Sequence, residues 1–350
     1  MSSRGNRRPF APGERSKGFR CLAGDPGAAF LRRLDPFRAR PPWIGGDLQT
    51  IRNSLLPAPA LVPHRSRRLY VPAPERAAGT LVAAVSEPQS EPQSEARRQI
   101  MLLVHGLGGC EDSAYMRLAA RVLLADGQVV IRANLRGADP EGRSVGPYHA
   151  GLVDDVRTLI ARIGRDWPRR PVIAIGFSLG GHLVLRLAAS PRVPDPLAAV
   201  ISVSAPLDLA SAVRRIGAAR NRIYERRLLA WLCRQHFAAG RAPDKGIRSL
   251  RAFDSRVVVP AHGFRDVDQY YRSQSVMPAL SALHRPTLAL HAEDDPWIPA
   301  ADYHSAPWPR NRPVWTLLTA AGGHVGFHAR GVRWPWYISA IRAFRDDLCA

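Results

Sequence analysis

Three residues far apart in this 350-residue chain have the types needed for acyl transfer through a serine: Ser178, Asp295 and His324. A serine hydroxyl is a weak nucleophile until a neighbouring base takes its proton, and an imidazole oriented by a carboxylate is the usual base. Ser178 stands in Gly176-Phe177-Ser178-Leu179-Gly180, Asp295 in His291-Ala292-Glu293-Asp294-Asp295-Pro296-Trp297-Ile298-Pro299, and His324 in Ala321-Gly322-Gly323-His324-Val325-Gly326. The chain order Ser, Asp, His is one of the known orders of such a triad. Ser178 is read as nucleophile, His324 as general base and then acid, and Asp295 as the group that orients the imidazole. Asp294 is the rival carboxylate, and Asp295 is preferred because Pro296 starts a turn directly after it. The oxyanion of a tetrahedral intermediate needs two preorganised backbone N–H donors. Leu179, next to the nucleophile, is one candidate, and Leu107 in the loop His105-Gly106-Leu107-Gly108-Gly109 is the other. That loop lacks the Lys-Ser/Thr ending of a phosphate-binding P-loop. His149 and Asp154 form an H-x4-D spacing, a two-residue pattern that arises easily by chance and is given a structural or substrate-side role.

These residues need elements that bring them to one place. The apolar run Pro171 to Ile175 reads as a buried strand, and the segment after Gly180 reads as a helix. A strand, a sharp turn with serine at its apex, and a helix make a nucleophile elbow. The helix N-terminus then favours negative charge beside the serine. Further strands are predicted at Gln99 to Val104, Val129 to Ala133, Ala198 to Val203, Pro286 to His291 and Val314 to Thr319. Helices are predicted over Ser113 to Asp126 and from Leu152, where Leu152, Val156, Leu159, Ile160 and Ile163 keep the spacing of a face lying on a sheet. Alternating strands and helices imply an α/β fold, a mostly parallel sheet covered on both faces, with its site at the strand ends. Arg67 to Val71 and Gly79 to Val85 are expected to form a hairpin before it.

Residues 210–285 break the alternation and are expected to be a helical cap, in which Tyr224, Leu228, Trp231 and Leu232 share one face while Arg215, Arg222 and Arg226 lie opposite. Residues 1–40 hold many Arg, Gly and Pro and are expected to be a partly disordered tail, with the domain running from 41 to 350. The repeated Glu87-Pro88-Gln89-Ser90 and Glu91-Pro92-Gln93-Ser94 reads as a mobile low-complexity loop.

The net charge is +21. It admits an anionic membrane surface as a partner, with nucleic acid the lesser reading, and a solvated basic surface without a partner is the plainer one. The excess of arginine over lysine suits a GC-rich genome, which would not by itself create the charge excess. No stretch of eighteen apolar residues occurs, so no transmembrane segment is expected. The four cysteines, Cys21, Cys110, Cys233 and Cys349, show no CxxC spacing. With no metal-ligand spacing among the histidines either, no metal and no cofactor are expected, and a reducing cytoplasm suits the chain, with peripheral membrane attachment as an addition.

The residues resemble the α/β-hydrolase family, and within it the YheT-like subgroup, bacterial relatives of the eukaryotic ABHD lipid hydrolases. The likeness runs from about Pro41 to near the C-terminus. Besides the elbow it rests on Trp43 to Thr50, His105-Gly106-Leu107, Asn134-Leu135-Arg136-Gly137, Tyr148-His149-Ala150-Gly151, Val203-Ser204-Ala205-Pro206, Asp268-Gln269-Tyr270-Tyr271, His291 to Pro296 and Gly322 to Phe327. The resemblance implies an eight-stranded sheet and serine-esterase chemistry on short to medium acyl esters or lipids, with the triad on Ser178, Asp295 and His324. An acyltransferase of the same fold is the alternative. So, from another class, is a basic membrane-surface or nucleic-acid-binding protein with weak or lost catalysis.

Overall fold

In the strand Ile100–Val104 every residue is apolar and every side chain is buried, Ile100, Leu102 and Val104 in one hydrophobic cluster and Met101 and Leu103 in another. Only a strand covered on both faces has that pattern. The computed structural model of the chain describes residues 18–74, 79–89, 99–144, 146, 149–237 and 246–349. Residues 90–98, with the second Glu-Pro-Gln-Ser copy, lie outside the described residues, as do residues 1–17.

The strands are β1 (Phe19–Ala23), β2 (His64–Pro72), β3 (Thr80–Pro88), β4 (Ile100–Val104), β5 (Val129–Ala133), β6 (Val172–Phe177), β7 (Leu197–Val203), β8 (Thr287–Ala292) and β9 (Val314–Thr319). They form one sheet in the order β1-β9-β8-β7-β6-β4-β5-β3-β2. The run from β5 through β4, β6, β7 and β8 to β9 is parallel. The β2–β3 hairpin joins antiparallel to β5, and β1 joins antiparallel to β9.

The main helices are α1 (Gly46–Leu55), α2 (Ala114–Ala125), α3 (Val153–Asp166), α4 (Leu179–Ala188), α5 (Leu209–Ile216), α6 (Arg222–Phe237), α7 (Val267–Gln274) and α8 (Trp336–Asp347). The buried residues of α3 and α4 pack on one face of the sheet, and those of α2 and α8 on the other. Arg136, just past β5, sets two guanidinium nitrogens on the two carboxylate oxygens of Asp155 in α3, at 2.6 and 2.5 Å. Helices α5, α6 and α7 all fall between β7 and β8, where the cap was expected. In α6, Leu228 and Leu232 are buried, while Arg222 and Arg226 are exposed.

The sheet has nine strands rather than eight. The additional one is β1, in the stretch expected as tail. Phe19 is buried and sits 5.3 Å, centroid to centroid, from Trp336 of α8. Phe30, Leu31, Leu34 and Phe37 are buried in the same cluster. A five-residue strand between Gly18 and Gly24 is too short to leave a periodic signal in an arginine-rich segment, and long-range packing decides its structure. Residues 18–40 are therefore part of the folded unit.

Candidate active site

The elbow is built by exclusion. A side chain at Gly176 would run into the backbone of Gly180, and one at Gly180 into the carbonyl oxygens of Val104 and His105. Between them Ser178 takes φ +53°, a conformation costly for a residue with a side chain. It is held there by its N–H donating to the Val203 carbonyl at 2.8 Å and its carbonyl accepting from His182 N–H at 3.0 Å. The strain is thus supported by β7 on one side and by α4 on the other.

Ser178 Oγ lies 2.8 Å from Nε2 of His324, and Nδ1 of His324 lies 2.9 Å from Oδ2 of Asp295. A carboxylate only accepts, so Nδ1 carries the proton and Nε2 is left to accept from the serine hydroxyl. Oδ1 of Asp295 accepts from the N–H groups of Trp297 and Ile298 at 2.8 and 3.0 Å. Burial alone would raise the Asp295 pKa, but the adjacent His324 and these donors outweigh it and hold the carboxyl below its ordinary range. Asp294 takes a different part. Its Oδ1 accepts from Gly323 N–H at 2.8 Å, fixing the turn before His324, and burial raises its pKa. The Trp297 ring lies 4.4 Å from the imidazole, centroid to centroid, and covers it.

The His324 loop is gripped by α1. Thr50 Oγ1 accepts from His324 N–H at 2.8 Å, Asn53 Nδ2 donates to the Val325 carbonyl at 2.8 Å, and the Gln49 side chain exchanges bonds of 3.0 and 2.6 Å with the backbone of His328. Ser204 Oγ accepts from Val325 N–H at 3.2 Å. Gln49, Thr50 and Asn53 were not singled out as site residues from sequence. Their one local signal is a set of polar side chains at positions 49, 50 and 53 on a short helix.

Leu107 and Leu179 both line cavity beside Ser178. Leu179 is the first residue of α4, where an N–H has no partner inside the helix. The loop carrying Leu107 is closed by Gly109 N–H on the Gly106 carbonyl at 3.1 Å, and Tyr115 Oη accepts from Gly106 N–H at 3.0 Å. His105 ties the loop down further. Its Nε2 accepts from Leu135 N–H at 3.0 Å and its Nδ1 donates to the Gly106 carbonyl at 2.8 Å. Full burial lowers its pKa to about 4, so the ring is neutral.

His149 and Asp154 part company. Asp154 is exposed and paired with Arg157, whereas His149 is buried against His262, Phe264 and Tyr270. His149 lines an apolar cavity of about 90 Å³ together with Leu209, Ile216, Leu232 and Phe253. Asp254, half-buried on the same wall, accepts from Tyr271 Oη at 2.6 Å, and desolvation raises its pKa to about 7. A second, open cavity of about 410 Å³ runs between α1 and α6 and includes His324, Trp231, Arg227 and Arg234. Ser178 lines both cavities, so they meet at its side chain. No helix of the described residues is long and apolar enough to cross a membrane.

The sequence profile of the alpha/beta hydrolase family matches residues 101–333. YheT of Escherichia coli, whose name carries an esterase assignment, is 33% identical over 252 residues, 68% of this chain and 73% of that one. The monoacylglycerol lipase of Saccharomyces cerevisiae is 26% identical over 283 residues, 73% of this chain and 61% of that one. Human phospholipase ABHD3 is 26% identical over 249 residues, 68% of this chain and 60% of that one. The solved esterase Pf2001 of Pyrococcus furiosus shares the fold with a TM-score of 0.52 at 16% identity, covering 83% of this chain and 98% of that one.

Proposed function

The chain belongs to the alpha/beta hydrolase family, and from that premise we propose that it cleaves carboxylic esters through Ser178, His324 and Asp295 by way of an acyl-enzyme. The enzyme class itself, a carboxylic ester hydrolase, follows from relatives named esterase, monoacylglycerol lipase and phospholipase. The observation that carries the mechanism is the unbroken hydrogen-bonded line from Ser178 Oγ through the imidazole to the buried Asp295.

In this mechanism Ser178 Oγ attacks the ester carbonyl carbon while Nε2 of His324 takes its proton. Asp295 stabilises the imidazolium that results. The carbonyl electrons move onto oxygen, which the N–H groups of Leu107 and Leu179 receive. The tetrahedral intermediate collapses, the C–O bond to the alcohol breaks, and His324 returns its proton to the leaving oxygen. Water then attacks the acyl-enzyme with His324 again as base, and the acid departs as Ser178 regains its proton. The apolar cavity of about 90 Å³ suits a short to medium acyl chain.

Ser178→Ala is expected to lower kcat on a p-nitrophenyl butyrate assay by on the order of 10⁴–10⁶-fold and to abolish labelling by a fluorophosphonate. The thermal midpoint should stay close to that of the unaltered protein. Full turnover in this variant would end the proposal.

A further inference from the structure

The two cavities that meet at Ser178 differ in one way that matters for the reaction. His324 lines the open cavity and not the apolar one. His324 must protonate the departing oxygen in the proposed mechanism, so the alcohol half of the ester leaves on the side where His324 stands. The acyl half is left to the apolar cavity under α5 and α6. This division follows from the catalytic reading above and rests on it.

The open cavity is charged. Arg227, Trp231 and Arg234 recur at i, i+4 and i+7 along α6 and face it together. Seven residues of helix rise about 10 Å, so the two guanidinium groups are set along the cavity rather than on one spot. Among the described residues no Asp or Glu lines this cavity. The nearby Asp47 is already engaged, accepting from Arg220 at 2.8 Å and from Tyr224 Oη at 3.0 Å. Glu225, on the same helix, is turned to the N–H of Leu250 at 3.0 Å. Among the described residues neither Arg227 nor Arg234 has an acidic partner. Two arginines without a counter-charge, on the wall that takes the alcohol, match an anionic group on that alcohol. Guanidinium favours phosphate and carboxylate oxygens because it presents several N–H donors in one plane.

We propose that the open cavity selects esters whose alcohol carries an anionic group, phosphate above all, and that Arg227 and Arg234 determine this specificity. The test compares butyryl glycerol with butyryl glycerol phosphate, which share acyl chain and ester bond and differ only in the charged group. At low ionic strength the kcat/KM of the phosphate ester should exceed that of the neutral ester by about tenfold or more, and the ratio should shrink in high salt. Arg227→Gln with Arg234→Gln should lower the ratio at least about tenfold, while Arg227→Lys with Arg234→Lys should retain part of it. Arg222→Gln with Arg226→Gln removes the same charge from outside the cavity and should leave the ratio within about twofold, separating a local contact from the pull of the whole basic protein. A ratio near one in the unaltered enzyme, or an equal change from the two Gln pairs, overturns the proposal while leaving the serine mechanism intact. Turnover of both esters that survives Ser178→Ala removes the mechanism, and the proposal with it.

Discussion

The sheet side and the cap side of the cavity are made by different physics. On the sheet side, Ser178, His324, Asp295 and the loop after β4 are held by hydrogen bonds to backbone groups, each with a named donor and acceptor. On the cap side, Leu209, Ile216, Leu228, Leu232 and Phe253 are held by apolar burial. Directional bonds fix atoms to a fraction of an ångström, as bond-making chemistry requires. Apolar packing fixes volume and tolerates exchange of one side chain for another, which suits a wall that chooses among substrates. Damage to the sheet side should therefore strike kcat, and changes on the cap side should redirect specificity.

After Ser178→Ala, the largest effect that probes this contrast is expected from Asp295→Asn. An amide in that place can hold the wrong imidazole tautomer, and kcat is expected to fall by on the order of 10⁴-fold. Asp294→Asn, which loosens the Gly323 turn rather than the imidazole itself, should cost about tenfold. Steady-state kinetics on one ester separates the two. Equal losses would mean that the two carboxylates share the orienting role.

Acid should act next, on buried histidines of both sides. His105, His149 and His328 each accept a hydrogen bond, from Leu135 N–H, Gly151 N–H and the Arg52 guanidinium respectively. Each must stay neutral to do so, and burial first of all lowers their pKa values to about 4, 3 and 3. Between the unfolded value of 6.5 and those lowered values, the unfolded chain binds protons that the folded chain refuses. Stability then falls as pH falls, by about 1.4 kcal/mol per pH unit for each histidine. Urea unfolding at stepped pH should show a steep loss below about pH 6, and a flat profile down to pH 4 would contradict the assignment of all three as neutral acceptors.

The smallest effect on kcat belongs to the cap. Phe253 is 2% exposed and lines the apolar cavity. Phe253→Ala should cost about 3–5 kcal/mol of stability and lengthen the preferred acyl chain, read as the kcat/KM order across a series of p-nitrophenyl esters. An unchanged order would place the acyl chain elsewhere.

Ser178, Asp295 and His324 stood out in the sequence for a local reason: each sits in a short turn of Gly, Asp or Pro residues directly after an apolar run. The strand–helix alternation was legible because both faces of the sheet are buried. What supports the site was hidden. Thr50 meets His324 across 274 residues, and no short pattern announces that contact. The same holds for β1, whose structure comes from pairing with β9. The separation of Asp294 from Asp295 rested on one proline in the sequence, whereas in the structure each carboxylate has its own N–H partners.

The pairing of β1 with β9 has a consequence for the life of the protein. Without residues 18–24, the last parallel strand would show a row of bare amides and carbonyls to solvent, a template on which another chain could add. Trimming of the amino-terminal segment by a protease would then remove a safeguard against clumping at the strand that leads into the His324 loop.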